Sequence, residues 1–230
     1  MREILINSAY FGALLSLAAY FAGAWLHKKL KLAIFNPILI GALLTIGALL
    51  LLGVDYSSYN VSAKYLSYLL TPATVCLAIP LYEQIALLKK HLRAMLAGIL
   101  AGVLANLAGV LCIALLWHLG HAEYATLLPK SVTTAIGMPL AESMGGYPSI
   151  TAVIIMLTGV VGNMCAPGFL KLLRITSPLA RGVAIGTSSH ALGTTKALEM
   201  GEIEGAMSSL SIAVAGLMTV IAASIFAGAI

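Results

Sequence analysis

Two stretches of this chain carry side chains that could do chemistry. The first is Leu128-Pro129-Lys130-Ser131-Val132-Thr133-Thr134 and the second is Gly186-Thr187-Ser188-Ser189-His190-Ala191-Leu192-Gly193-Thr194-Thr195-Lys196. Both lie among apolar residues. A charge at bilayer depth costs several kcal/mol, about 2.5–3.5 on insertion scales, so a cation there needs a function or a route to the surface. Proline removes a backbone donor and breaks the helical ladder, and the freed carbonyls must then face protein, water or a ligand. Lys130 and Lys196, set beside broken helix ends, would favour an anion. Ser131, Thr133, Thr134, Thr194 and Thr195 offer hydroxyls to a small carboxylate or hydroxy acid. His190 titrates near neutral pH and could carry a coupled proton. Glu142 could do so if burial raised its pKa.

Plainer roles exist for each of these residues. Lysines snorkel to interfaces, a histidine can serve only packing, and serine and threonine back-bond to helical carbonyls. No enzyme signature accompanies them. There is no G-x-S-x-G elbow, no phosphate loop ending in GK[ST] and no His/Cys cluster with metal spacing, so neither a metal nor another cofactor is expected. Cys76, Cys112 and Cys165 lie in apolar runs and read as small hydrophobes.

The elements that would position these stretches are membrane helices. The chain is 60% hydrophobic and 9% charged, against roughly 25% charged in a soluble domain. Its continuous apolar runs, rich in Gly and Ala, differ from the alternating segments of a membrane barrel. The net charge of +5 comes in short basic clusters between apolar runs. That is the positive-inside pattern, not a nucleic-acid footprint. Ala22-Gly23-Ala24 resembles a signal-peptidase site, but the run before it is longer than a signal h-region, so an uncleaved first span from Asn7 to Leu26 is expected.

The expected fold is an all-α integral membrane protein in one domain, with about seven spans plus a re-entrant segment. Residues 1–33 give the first span and loop, 34–117 a first repeat, 121–146 the re-entrant segment and 147–230 a second repeat. Asp55 to Lys64 reads as a polar, tyrosine-rich loop. Helix breaks lining a cavity are expected at Thr71, Pro72 and Thr74, at Pro129 and at Gly193. Gly98, Gly102 and Gly109 mark a close helix contact, and Asn106 an interhelical hydrogen bond. The basic clusters around Lys29, Lys90 and Arg174 would face the cytoplasm. Asp55 and the acidic loop Glu199–Glu204 would face outward. The two triplets of spans, each with a broken middle member, then run in opposite directions, as in an inverted-repeat transporter.

At these residues the sequence resembles the LrgB/CidB family of bacterial inner-membrane proteins. The carrying motifs are Asn36-Pro37, Pro72-Ala73 with Pro80-Leu81-Tyr82, and Leu128 to Thr134. Ala180-Arg181-Gly182, Gly186-Thr187, Ser189-His190-Ala191, Gly193-Thr194 and Glu204-Gly205-Ala206 with Ser208-Ser209-Leu210 complete the set. The resemblance covers about residues 34 to 220. Ala135 departs from it, where proline is expected after the paired threonines. It implies control of murein hydrolases and autolysis under a holin/antiholin scheme, beside a small LrgA/CidA-type membrane partner. Similar proteins are also linked to movement of pyruvate across bacterial membranes. A plant chloroplast relative with a similar LrgB-like part carries glycolate and glycerate. The two expectations are therefore a carrier of small monocarboxylates and, alternatively, a holin-like pore or lysis regulator. A homo-oligomer is expected in either case.

Overall fold

The computed structural model describes residues 10–30, 35–69, 72, 75–76 and 78–230. All regular structure among them is helical. The chain divides into two compact units, Met1–Cys76 and Leu77–Ile230, so the expected first repeat, 34–117, is shared between them.

The first unit holds α1 (Phe11–Leu30), α2 (Pro37–Leu52) and α3 (Tyr56–Ser67). Asn36 caps α2, its Oδ1 accepting from the Ile38 N–H at 2.9 Å, and Pro37 fills the first helical position, where no donor is needed. Gly53, with φ of 58°, ends α2 in the left-handed conformation that glycine adopts freely. The tyrosine-rich stretch expected as a loop is helix α3. Tyr59 and Ser62 lie one turn apart on its face toward α1. Ser62 Oγ accepts from the Gly12 N–H at 2.7 Å, and Tyr59 hydrogen-bonds Ser16 at 2.6 Å. Of the break expected near residue 72, Thr71 and Thr74 lie outside the described residues and Pro72 is exposed.

The second unit holds α4 (Ala78–Glu83), α5 (Ile85–Leu116), α6 (His121–Leu127), α7 (Thr134–Ser143), α8 (Pro148–Leu172), α9 (Pro178–Met200) and α10 (Glu202–Phe226). Among the described residues, three helical segments are long and apolar enough to cross a membrane: Lys89–Leu116, Pro148–Leu172 and Glu202–Ala229. The seven expected spans exceed this number. On α5 the buried residues Met95, Ile99, Val103, Leu107, Val110 and Ala114 recur every three or four positions, one stripe of a helix. Met95 packs with Met207, and further along the stripe meets Ala215 and Ala223, so α5 and α10 run parallel.

The segment between α5 and α8 is a helical hairpin. Its arms are α6 and α7 and its tip is 128–133. The ends close on each other, with His121 Nε2 2.9 Å from the Met144 carbonyl. The tip reaches Asn106, ten residues short of Leu116, or about 15 Å along α5.

Helix α9 is a second hairpin, and this corrects the expectation of a broken middle span in the second repeat. His190 has φ 42° and ψ −138°, and the chain reverses there. A Cβ at Gly193 would meet the Ile185 carbonyl eight residues earlier at 3.3 Å, whereas a straight helix would separate such residues by about 12 Å. Both arms lie on the first turns of α10. Gly182 approaches the Glu204 carbonyl, Gly205 approaches Leu198, and Thr194 Oγ1 lies 2.7 Å from Ser208 Oγ. Arg181 and Glu204 form an ion pair at 3.8 Å. The acidic stretch therefore shares one end of the bundle with the basic cluster instead of lying opposite it.

Candidate functional site

The second unit holds an open cavity of ≈ 1280 Å³ walled by α5, α8 and the first arm of α9. One end, called the mouth below, is lined by His91, Leu173 and Ser177. Its floor is made of Asn106, Lys130, Ser131, Thr187, Ser188 and Ser189. From His91 to Asn106 the α5 wall runs about 22 Å. Between mouth and floor the walls are mainly apolar, among them Met95, Leu157, Val161 and Phe169.

The floor is where the two hairpin tips arrive, and each tip is held by an asparagine from the preceding long helix. Asn106 on α5 donates Nδ2 to the Leu128 carbonyl at 3.5 Å and accepts from Ser131 Oγ at 3.1 Å. Asn163 on α8 donates Nδ2 to the Leu192 carbonyl at 2.7 Å and to Thr195 Oγ1 at 3.0 Å. Carbonyls released at a helix break need such partners where water is scarce. The second tip is further held by His190 Nε2, 2.9 Å from the Ile155 carbonyl. A non-glycine residue at φ 42° is strained, and such strain persists only where its surroundings enforce it.

Lys130 Nζ donates to Ser131 Oγ at 3.2 Å. No carboxylate pairs with it among the described residues, and no acidic side chain lines the cavity. Thr187 is buried, and its Oγ1 has no hydrogen-bond partner among the described residues. Unsatisfied buried hydroxyls are uncommon and costly.

The other residues singled out in the sequence stand elsewhere. Thr133 caps α7 and is half-buried, and Thr134 is exposed. Thr194 bonds to Ser208 and to the His190 carbonyl. Thr195 bonds to the Leu192 carbonyl and Asn163. Lys196 pairs with Glu199 at 2.7 Å. His190 is buried at the tip, Glu142 is exposed on α7, and neither lines the cavity. Pro129 is buried in the first tip, and Gly193 lies against Ser189 behind the second. Asn106, Thr187, Ser188 and Ser189 line the floor without having been chosen as ligand contacts. The signal for the last three was the run of hydroxyls before His190, whose placement depends on the reversal there. Of the three glycines on α5, Gly98 and Gly102 face α9. At Gly109 a Cβ would meet no described atom within 4 Å, so it departs from the expected contact.

Comparison with known proteins agrees with this architecture's membrane character. The LrgB-like family matches residues 16–229. The chain is 38% identical over 220 residues to Antiholin-like protein LrgB of Bacillus subtilis (strain 168), covering 95% of each chain. It is 40% identical over 205 residues to a Bacillus subtilis protein named YxaC, covering 89% of each, and 38% identical over 218 residues to Antiholin-like protein LrgB of Bacillus mycoides, covering 94% and 95%. No solved structure matches it. The chain is a membrane protein of the LrgB-like family.

Proposed function

We propose that this protein carries small monocarboxylates, such as pyruvate or glycolate, across a bacterial inner membrane. The observation behind this reading is a cavity whose floor is built from two hairpin tips and holds one cation, Lys130, with no carboxylate partner among the described residues. All Lys and Arg of the second unit except Lys130 and Lys196 fall in the clusters Lys89–Arg93 and Lys171–Arg181. By the positive-inside rule the cavity mouth faces the cytoplasm. The first hairpin is then re-entrant from the outer side and the second from the cytoplasmic side. Each follows a long helix, α5 or α8, and the two pairs run in opposite senses, as repeats do in alternating-access carriers. Lys130 would hold the carboxylate, with Ser131 and Asn106 placing its neighbours. A coupled proton would sit on His190 at the second tip or on Glu142 of the first hairpin. An LrgA/CidA-type partner and homo-oligomers belong to the same proposal.

Uptake of labelled pyruvate, glycolate and lactate into proteoliposomes, with and without an imposed pH gradient, tests it. Saturable, mutually competitive uptake is the expected result. The name antiholin-like, borne by two of these relatives, favours a second reading as a pore or lysis regulator linked to murein hydrolase control. A pore would release uncharged solutes of similar size without saturation, and a carrier would not.

A further inference from the structure

A second cavity, of ≈ 520 Å³, lies at the base of the second hairpin and has no part in the carrier reading. One wall is cationic, formed by Lys171 in the last turn of α8, Arg174 in the following turn and Arg181 in the first turn of α9. The rest of the lining is mainly apolar, with Leu170, Ile175 and Met200. Arg174 stands at φ 54°. The Ile175 N–H bonds the Leu170 carbonyl at 2.9 Å and the Arg174 N–H bonds the Lys171 carbonyl at 3.1 Å. This is the helix stop whose left-handed position normally belongs to glycine. An arginine kept there at a conformational cost points to a use for its side chain.

Arg181 is fixed from behind, its Nε donating to the Ile175 carbonyl at 2.8 Å and its Nη1 lying 3.8 Å from Glu204 Oε1. Glu204 offsets one charge. Lys171 and Arg174 have no ion-pair partner among the described residues and are exposed. The wall therefore keeps two uncompensated positive charges. It sits at the end of one of the membrane-length helices, the level at which phosphate groups of lipids lie, and cationic pockets between helices at that level suit anionic headgroups. A small soluble anion would leave the apolar wall facing water, whereas an amphiphile covers both walls.

We propose that this pocket binds an anionic phospholipid, with its phosphate on Lys171, Arg174 and Arg181 and the start of an acyl chain along Leu170 and Met200. The purified full chain in detergent is titrated with phosphatidylglycerol, with phosphatidylcholine of the same acyl chains, and with inorganic phosphate. Bound lipid is counted by native mass spectrometry and stability is followed by thermal melting. Phosphatidylglycerol should bind and raise the melting temperature, and the other two should not. Lys171→Gln should weaken binding about fivefold. The double variant with Arg174→Asn, which tolerates the left-handed conformation, should weaken it about 25-fold. Lys89→Gln with Lys90→Gln should leave it unchanged. Equal binding of the two lipids, displacement by inorganic phosphate, or an equal loss in the Lys89/Lys90 variant would each overturn the proposal. If the double variant does not fold, the single Lys171→Gln result decides.

Discussion

Ser131 Oγ, at the tip of the first hairpin, donates to Asn106 Oδ1 in the middle of α5 over 3.1 Å. Asn163 meets the second tip in the same manner, its Nδ2 2.7 Å from the Leu192 carbonyl. An irregular backbone at membrane depth is tolerated only where protein or a water-filled cavity satisfies it. The two asparagines supply that satisfaction from helices that run in opposite senses. They also fix both tips beside one cavity floor, and the cation there is Lys130.

If Lys130 binds the ligand carboxylate, Lys130→Gln keeps a donor and most of the length but loses the charge. A charge-assisted hydrogen bond contributes about 1.5–3 kcal/mol, so affinity should fall roughly ten- to a hundredfold. Lys130→Arg should recover only part of it, because a planar fork does not occupy an ammonium's position. Substrate-induced thermal stabilisation, measured alongside uptake, checks both. Wild-type affinity in the glutamine variant would remove Lys130 from the site.

Gly102 gives a packing test. A Cβ there would stand 2.7 Å from Thr187 Cγ2. Gly102→Leu should overpack the α5–α9 contact and destabilise by about 1–3 kcal/mol. Gly109→Leu, with no described atom close to its Cβ, should melt like the wild type. Melting temperatures in detergent compare them, and equal values for the two variants would contradict the placement of α5.

The first break was legible because Pro129, Lys130 and three hydroxyls fall together where an apolar helix cannot continue. The second hairpin was not legible as a hairpin. Residues 182–199 have nearly the length of a span, and the reversal requires only His190 to take a left-handed φ, which its residue type does not announce. The error then carried into the acidic stretch. Glu202 and Glu204 look like an outer loop on charge alone, yet Glu204 is buried against Arg181. Thr187 was hidden for the same reason, since the direction of the first arm of α9 decides which hydroxyls face the cavity.

His121 gives a pH test outside the spans. Its ring nitrogens lie 2.8 Å from the Ile230 carbonyl and 2.9 Å from the Met144 carbonyl. Two acceptors favour the doubly protonated ring, and these contacts raise its pKa above the usual histidine value, the Ile230 carbonyl contributing most. A pKa raised by folding adds stability that is fully present below the unfolded value, about 6.5. That stability is lost as pH rises through the higher folded value. The melting temperature should therefore fall with rising pH above about 6.5. His121→Gln should flatten that part of the profile. An unchanged profile in the variant would show that the closing of the first hairpin does not depend on this ring.

The reversal at His190 makes a sidedness prediction that a spanning α9 does not. With the chain reversing there, Arg174 and Glu202 lie at the same end of the bundle, as the Arg181–Glu204 ion pair requires. A spanning α9 would put the membrane between them. Cys76, Cys112 and Cys165 are replaced first, so that each variant carries a single thiol. Arg174→Cys and Glu202→Cys are then treated in intact cells with an impermeant thiol reagent, and again after permeabilisation. Both should be protected in intact cells and both should react once the membrane is opened, because the basic clusters place this end in the cytoplasm. Reaction of both in intact cells would keep the hairpin but invert the orientation. Reaction of position 202 alone would restore a spanning α9 and break the shared floor on which the carrier reading rests.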